Sequence, residues 1–108
     1  MDKFELARNP NTSADMLEKL ANDEDGNIRW IVAQISNTPP EVLEQLANDE
    51  NFVVRGYVTK NPSTSSKVLE MLASDGNIWV RYSVAQNPNT PKYIKFYQQY
   101  QRYLKWYE

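Results

Sequence analysis

Three carboxylate–guanidinium pairs stand at one fixed separation in this chain of 108 residues: Asp23 with Arg29, Asp49 with Arg55, and Asp75 with Arg81. An acid and a base six residues apart could serve as a proton-transfer pair. A catalytic site, however, needs one special constellation, and three identical copies argue for a scaffold role instead. The rest of the inventory agrees. The chain has no cysteine and no histidine. That excludes disulfides, thiolate metal sites, iron–sulfur clusters and cysteine nucleophiles, and it removes the usual general base and the usual nitrogen ligand. The two triplets Asp25-Gly26-Asn27 and Asp75-Gly76-Asn77 read as turns, because the downstream carboxylate of a calcium loop is absent. The expectation is a protein that is not an enzyme and has no cofactor and no metal. The Asp and Arg sets read as structural columns, able to bond within and between successive units, and each Asp could also cap the next helix.

The elements that would hold these columns follow from a period of 26 residues. Thr12, Thr38, Thr64 and Thr90 mark it, and Leu6, Val32, Val58 and Val84 keep the same step. So do Leu17, Leu43 and Leu69, then Leu20, Leu46 and Leu72, then Ala21, Ala47 and Ala73. A fixed step with this many matching columns signals a repeat architecture. Each unit reads as two short helices. In the first, Ile28, Ile31, Val32 and Ile35 lie at helical spacing; in the second, Val42, Leu43, Leu46 and Ala47 form one apolar stripe. Thr38 is the expected N-cap of that second helix, with Pro39 at its first helical position and Glu41 completing a capping box. Asn61-Pro62 and Asn87-Pro88 end the helices before them, since proline pushes its predecessor out of the helical region. The text "NPNT" is therefore a corner. The fold class expected is all-α, an α-solenoid of short helix-turn-helix repeats. One domain spans residues 1–108, in units of about 1–26, 27–52, 53–78 and 79–108.

These columns resemble the leucine-rich repeat variant family, which sits with HEAT and armadillo repeats among helical solenoids. The resemblance runs from about residue 6 to 91. It rests on Val54, Arg55, Val58, Asn61, Pro62, Thr64, Leu69, Leu72, Ala73 and Asp75, repeated at Val80, Arg81, Val84, Ala85, Asn87, Pro88, Asn89, Thr90 and Pro91. It implies stacked helix pairs in a right-handed superhelix. In the variant family the first helix of a unit can be 3₁₀, and the repeats run slightly shorter than 26. Here the extra residues fall in the loops "DEDGN", "DENF" and "SDGNI", which leaves room for full α-helices. The resemblance is nearly silent on activity.

In a repeat protein, specificity is expected in the columns that vary. Trp30 aligns with Gly56 and Tyr82, Ile31 with Tyr57 and Ser83, and Asn27 with Val53 and Trp79. Trp30, Tyr57, Trp79 and Tyr82 are candidate partner anchors, with filling between units as the alternative. The second helices present a polar, acidic-leaning face of Asp15, Glu18 and Lys19, then Glu41, Glu44 and Gln45, then Lys67, Glu70 and Met71. After Pro91 the rule breaks. The leucine columns hold Lys95 and Gln98, and "KYIKFYQQYQRYLKWYE" continues as one helix on a stripe of Tyr93, Tyr97, Tyr100, Leu104 and Tyr107. Lys92, Lys95, Arg102 and Lys105 against Glu108 give this tail +3, which leaves −5 on the remainder of a chain with formal net charge −2. Tyr97, Tyr100, Tyr103 and Trp106 join the candidate anchors. Three readings stand for the tail: a cap on the last unit, a helix for homodimer or partner contact, or a basic aromatic surface for nucleic acid or an anionic membrane face. No run is long enough for membrane insertion and no apolar signal core is seen, so a cytoplasmic protein is expected. The function expected is a binding module or scaffold for a protein or peptide, with a nucleic-acid-associated module as the alternative.

Overall fold

The computed structural model describes residues 1–106, and its helices follow the 26-residue step. They are α1 (Lys3–Arg8), α2 (Ala14–Leu20), α3 (Gly26–Gln34), α4 (Pro40–Leu46), α5 (Phe52–Lys60), α6 (Ser66–Leu72), α7 (Ile78–Gln86) and α8 (Lys92–Trp106). No strand occurs among the described residues, so the protein is all-α. The odd-numbered helices lie side by side in chain order, α1 on α3, α3 on α5, α5 on α7. Each of α2, α4 and α6 packs against the odd-numbered helix before it and the one after it. The body measures 54 × 22 × 16 Å. Its core is the set of apolar columns: Val32, Val58 and Val84 are fully buried, and Leu17, Leu43 and Leu69 nearly so. Helices α3, α5 and α7 are nine-residue α-helices, as the long loops suggested.

The corners depart from the expected capping. Ser13 and Ser65, one residue after the threonines, cap α2 and α6, each hydroxyl accepting a backbone N–H at 3.2 Å. Pro39 occupies the cap position of α4 without a side-chain bond, and Pro40, not Pro39, is the first helical residue. The threonines face the other way. The Thr38, Thr64 and Thr90 hydroxyls donate to the carbonyls of Val32, Val58 and Val84 at 2.6–2.7 Å, and Thr12 donates likewise to Leu6. The reason is burial. A buried hydroxyl used only as an acceptor would leave its own hydrogen unbonded, and the carbonyls of Val32, Val58 and Val84, which accept the cap N–H, still have a second lone pair to offer.

The asparagines of "NP" tie one corner to the previous one. The Asn61 amide donates to Ala33 and Ile35 carbonyls, both at 2.8 Å, and its carbonyl oxygen accepts from Ser63 N. Asn87 repeats this on Thr59 and Asn61, with Asn89 N as donor. Both side chains are buried. Asn61→Ala is expected to lower unfolding stability by roughly 2 kcal/mol, because two carbonyls lose their donor. Urea denaturation measures this, and an unchanged midpoint would mean that water replaces the amide without loss.

Candidate functional site

The charged columns pair at a spacing of twenty residues, each arginine reaching the loop ahead of the next odd-numbered helix. Arg29 holds the Asp49 carboxylate by Nε at 2.7 Å and Nη2 at 3.3 Å. Arg55 holds Asp75 by the same two atoms at 2.8 and 3.1 Å. The third guanidinium nitrogen bonds the carbonyl of the Asp six residues back: Arg29 to Asp23, Arg55 to Asp49, Arg81 to Asp75, at 2.6–2.8 Å. Asp23, Asp49 and Asp75 are not the caps of the following helices. Each accepts from the N–H two residues on, which bends the loop, and Asp25, Asn51 and Asn77 then cap α3, α5 and α7. The two Asp-Gly-Asn triplets thus sit in different registers: Asp25 is a cap and Asp75 a rung.

Lys3 supplies a further rung, bonding Asp23 at 2.8 Å. It stands 26 residues before Arg29, so the arginine column could have revealed it had lysine been admitted. The bond to Lys3 holds the Asp23 carboxyl below its ordinary value, helped by the Asp25 N–H. The same bond raises Lys3. Asp49 raises Arg29 in turn. Arg81 ends the column, because the residue twenty positions on is Gln101.

Three of the candidate anchors form a contiguous run across units. Trp30 and Tyr57 stack with ring centroids 4.8 Å apart, and Tyr57 meets Trp79 edge-on at 6.2 Å. Phe52 packs edge-on against Trp79, and the Lys60 ammonium lies 4.9 Å from the Trp79 centroid. Sequence reading missed Phe52 and Lys60, since neither column is distinctive. All three anchors are half-buried. Gly56 explains the register: a Cβ there would lie 1.7 Å from the Trp79 ring. Trp79 fills the space that Trp30 and Tyr82 occupy in their own units.

The other anchors are exposed. Tyr82, Tyr97, Tyr100 and Tyr103 are each about half uncovered, and Trp106 is 87% exposed. Helix α8 meets the rest of the protein through its first half. Ile94 is buried, the Gln98 amide donates to the carbonyls of Ala73 and Arg81, and the Tyr93 hydroxyl donates to Glu70. Gln98 stands in a leucine column, and its Oε1 is buried with no partner among the described residues. From residue 99 to 106 every side chain is exposed. Tyr107 of the expected stripe, and Glu108, lie outside the described residues. The first half of α8 packs on α7, and residues of its second half face a groove beside that helix. Between α7 and α8 runs a groove of about 610 Å³, lined by Ile78, Arg81, Tyr82, Tyr97, Arg102 and Lys105 among others. The acidic face of the second helices is solvent-exposed throughout. No helix among the described residues is long and apolar enough to cross a membrane. No protein-family model matches the chain, and no curated protein or solved structure matches it.

Two outcomes are expected from the charged column. Arg55→Ala should cost roughly 2 kcal/mol, because it leaves a carboxylate that is only 9% exposed without its fork. Arg81→Ala, with no carboxylate to release among the described residues, should cost less than about 1 kcal/mol. Thermal denaturation compares them; equal losses would assign the effect to the backbone bond that both arginines make. The Lys3–Asp23 bond gives a pH signature. The Asp23 pKa is lowered in the fold, so its contribution is present above the ordinary value of 3.8 and is lost as pH falls through the folded value. Lys3 is raised, so the contribution is kept below 10.5 and lost as pH rises through its folded value. Asp23→Asn should flatten the acid limb of the stability curve, and an identical acid slope in the variant would refute this.

Proposed function

We propose that this chain is a right-handed α-solenoid of the kind its leucine-rich-repeat-variant and HEAT-like columns suggest, and that it serves as a non-catalytic binding module for a protein or peptide. One observation carries the reading: α8 holds far more exposed aromatic surface than closing the row requires. Tyr93, Phe96, Tyr97, Tyr100, Tyr103 and Trp106 are all solvent-exposed on a single 15-residue helix. Exposed tyrosine and tryptophan of this density suit contact with another macromolecule, since they offer large area at small entropic cost and retain a polar tip. The recurring Asp–Arg rungs and the Trp30–Tyr57–Trp79 run support a stiff frame, which keeps such a surface in place. Recognition then follows from shape and contact, with no bond made or broken.

The second reading, a nucleic-acid-associated module, draws on the lysines and arginine of the same helix. The two separate cleanly. A partner captured from the native host by the parent chain, then purified, should bind at least about tenfold more weakly to a Tyr100→Ser/Trp106→Ser variant whose melting temperature is unchanged. Absence of any protein partner, with single-stranded oligonucleotide binding that falls steeply as salt rises, would replace the first reading by the second.

A further inference from the structure

Within each unit, two columns of the odd-numbered helix face the unit that follows. Trp30 is covered by Tyr57 and Gly56 by Trp79. Gly26 lies near the Asn51 side chain, and Phe52 packs against Trp79. On α7 the same two columns hold Tyr82 and Ile78, and both are uncovered, at 58% and 74% exposed. The charged column shows the same break. Arg81 is anchored to the Asp75 carbonyl at 2.6 Å, as Arg29 and Arg55 are anchored to Asp23 and Asp49. In those two arginines, Nε and Nη2 close on a carboxylate that lies three residues ahead of the next odd-numbered helix: Asp49 before Phe52, Asp75 before Ile78. Among the described residues, no carboxylate pairs with Arg81. Arg102 and Lys105 add positive charge to the groove, and the one carboxylate lining it among the described residues, Asp75, is already held by Arg55.

We infer that the α7–α8 groove docks a helical segment of a partner protein that carries an Asp or Glu three residues ahead of its first helical residue. The carboxylate closes on Nε and Nη2 of Arg81, an apolar or aromatic side chain covers Tyr82 and Ile78, and an acidic flank faces Arg102 and Lys105. The segment does on α7 what residues 49–60 do on α3. The anchored, planar fork favours a carboxylate, whose two oxygens it matches. A second copy of this chain fits less well, because its Asp2 lies one residue ahead of α1 and not three. This inference rests on the peptide-binding reading above and specifies its site.

The chain supplies its own probe. A helix-stapled, fluorescent peptide with the sequence of residues 49–61 carries Asp49 and the Tyr57 that stacks on Trp30, an aromatic in the column of Tyr82. Anisotropy titration is expected to show saturable binding. Asp49→Asn in the peptide should weaken it about tenfold, as should Arg81→Gln in the protein, and the two together should cost no more than either alone. Arg81→Lys, which keeps the charge and loses the fork, should match Arg81→Gln, with circular dichroism showing each variant folded. Additive losses, or no saturable binding, would overturn the inference. So would self-association that disappears with Arg81→Gln, which would seat a second copy in the groove. Displacement of the peptide by single-stranded oligonucleotide would overturn it too, marking a general polyanion site. If the groove ignores the peptide while the Tyr100 and Trp106 substitutions still weaken partner binding, this inference fails and the broader reading stands. If those substitutions leave partner binding intact while the peptide result holds, the α8 reading fails instead.

Discussion

Helices of seven to nine residues are mostly ends. Four N–H groups at one terminus and four carbonyls at the other have no partner inside a helix, so terminal groups outnumber the satisfied ones in the seven-residue α2, α4 and α6 and nearly match them in the nine-residue α3, α5 and α7. Burying such helices is favourable only if something else bonds those groups. This constraint accounts for the parts of the sequence that recur most faithfully. Threonine hydroxyls take the carbonyls of Leu6, Val32, Val58 and Val84. Asparagine amides take those of Ala33, Ile35, Thr59 and Asn61. Aspartate and asparagine side chains take the N–H groups at the opposite ends. The apolar columns supply the driving force, and the polar columns make it possible to use helices this short.

The arginine column works at the same ends. Each guanidinium bonds a carbonyl in the loop ahead of its own helix and, at Arg29 and Arg55, a carboxylate in the loop ahead of the next odd-numbered helix. The pairs are nearly buried, so removing one partner costs more than forming the pair gains. Their value is registration. A fork that must meet a carboxylate on one side and a carbonyl on the other admits one relative placement of adjacent helices. Gly56 and Trp79 reinforce that placement through shape, since only a residue without a Cβ leaves room for the ring.

The period, the helices and the buried apolar columns were legible in the sequence because each is written several times over. Burial of Leu43, Leu46, Val54 and Val80 follows from position alone. The threonines were misread for a physical reason. A threonine before a helix has the signature of an N-cap, and only its burial decides that its hydrogen goes back to the preceding helix. Lys3 was hidden by a conservative change of residue type within a column. Phe52 and Lys60 were hidden because their partner, Trp79, lies 27 and 19 positions on, across a unit boundary. The groove between α7 and α8 could not be read, since the fold alone brings together the residues between 73 and 105 that line it. The aromatic excess of that helix was visible in the letters themselves.

The reach of the polar bonds sets how the chain can come together. Among the described residues, the farthest-reaching side-chain hydrogen bonds, Asn61 to Ala33 and Asn87 to Thr59, span 28 positions. Each thus joins a unit to its immediate neighbour. Little loop entropy need be lost before a contact is rewarded, so ordering can begin at any corner and spread outward one unit at a time. Loosening can likewise start at one extremity and stop at the next intact rung. The molecule behaves less like a sphere with a single melting point than like a zipper, whose teeth are the guanidinium–carboxylate pairs.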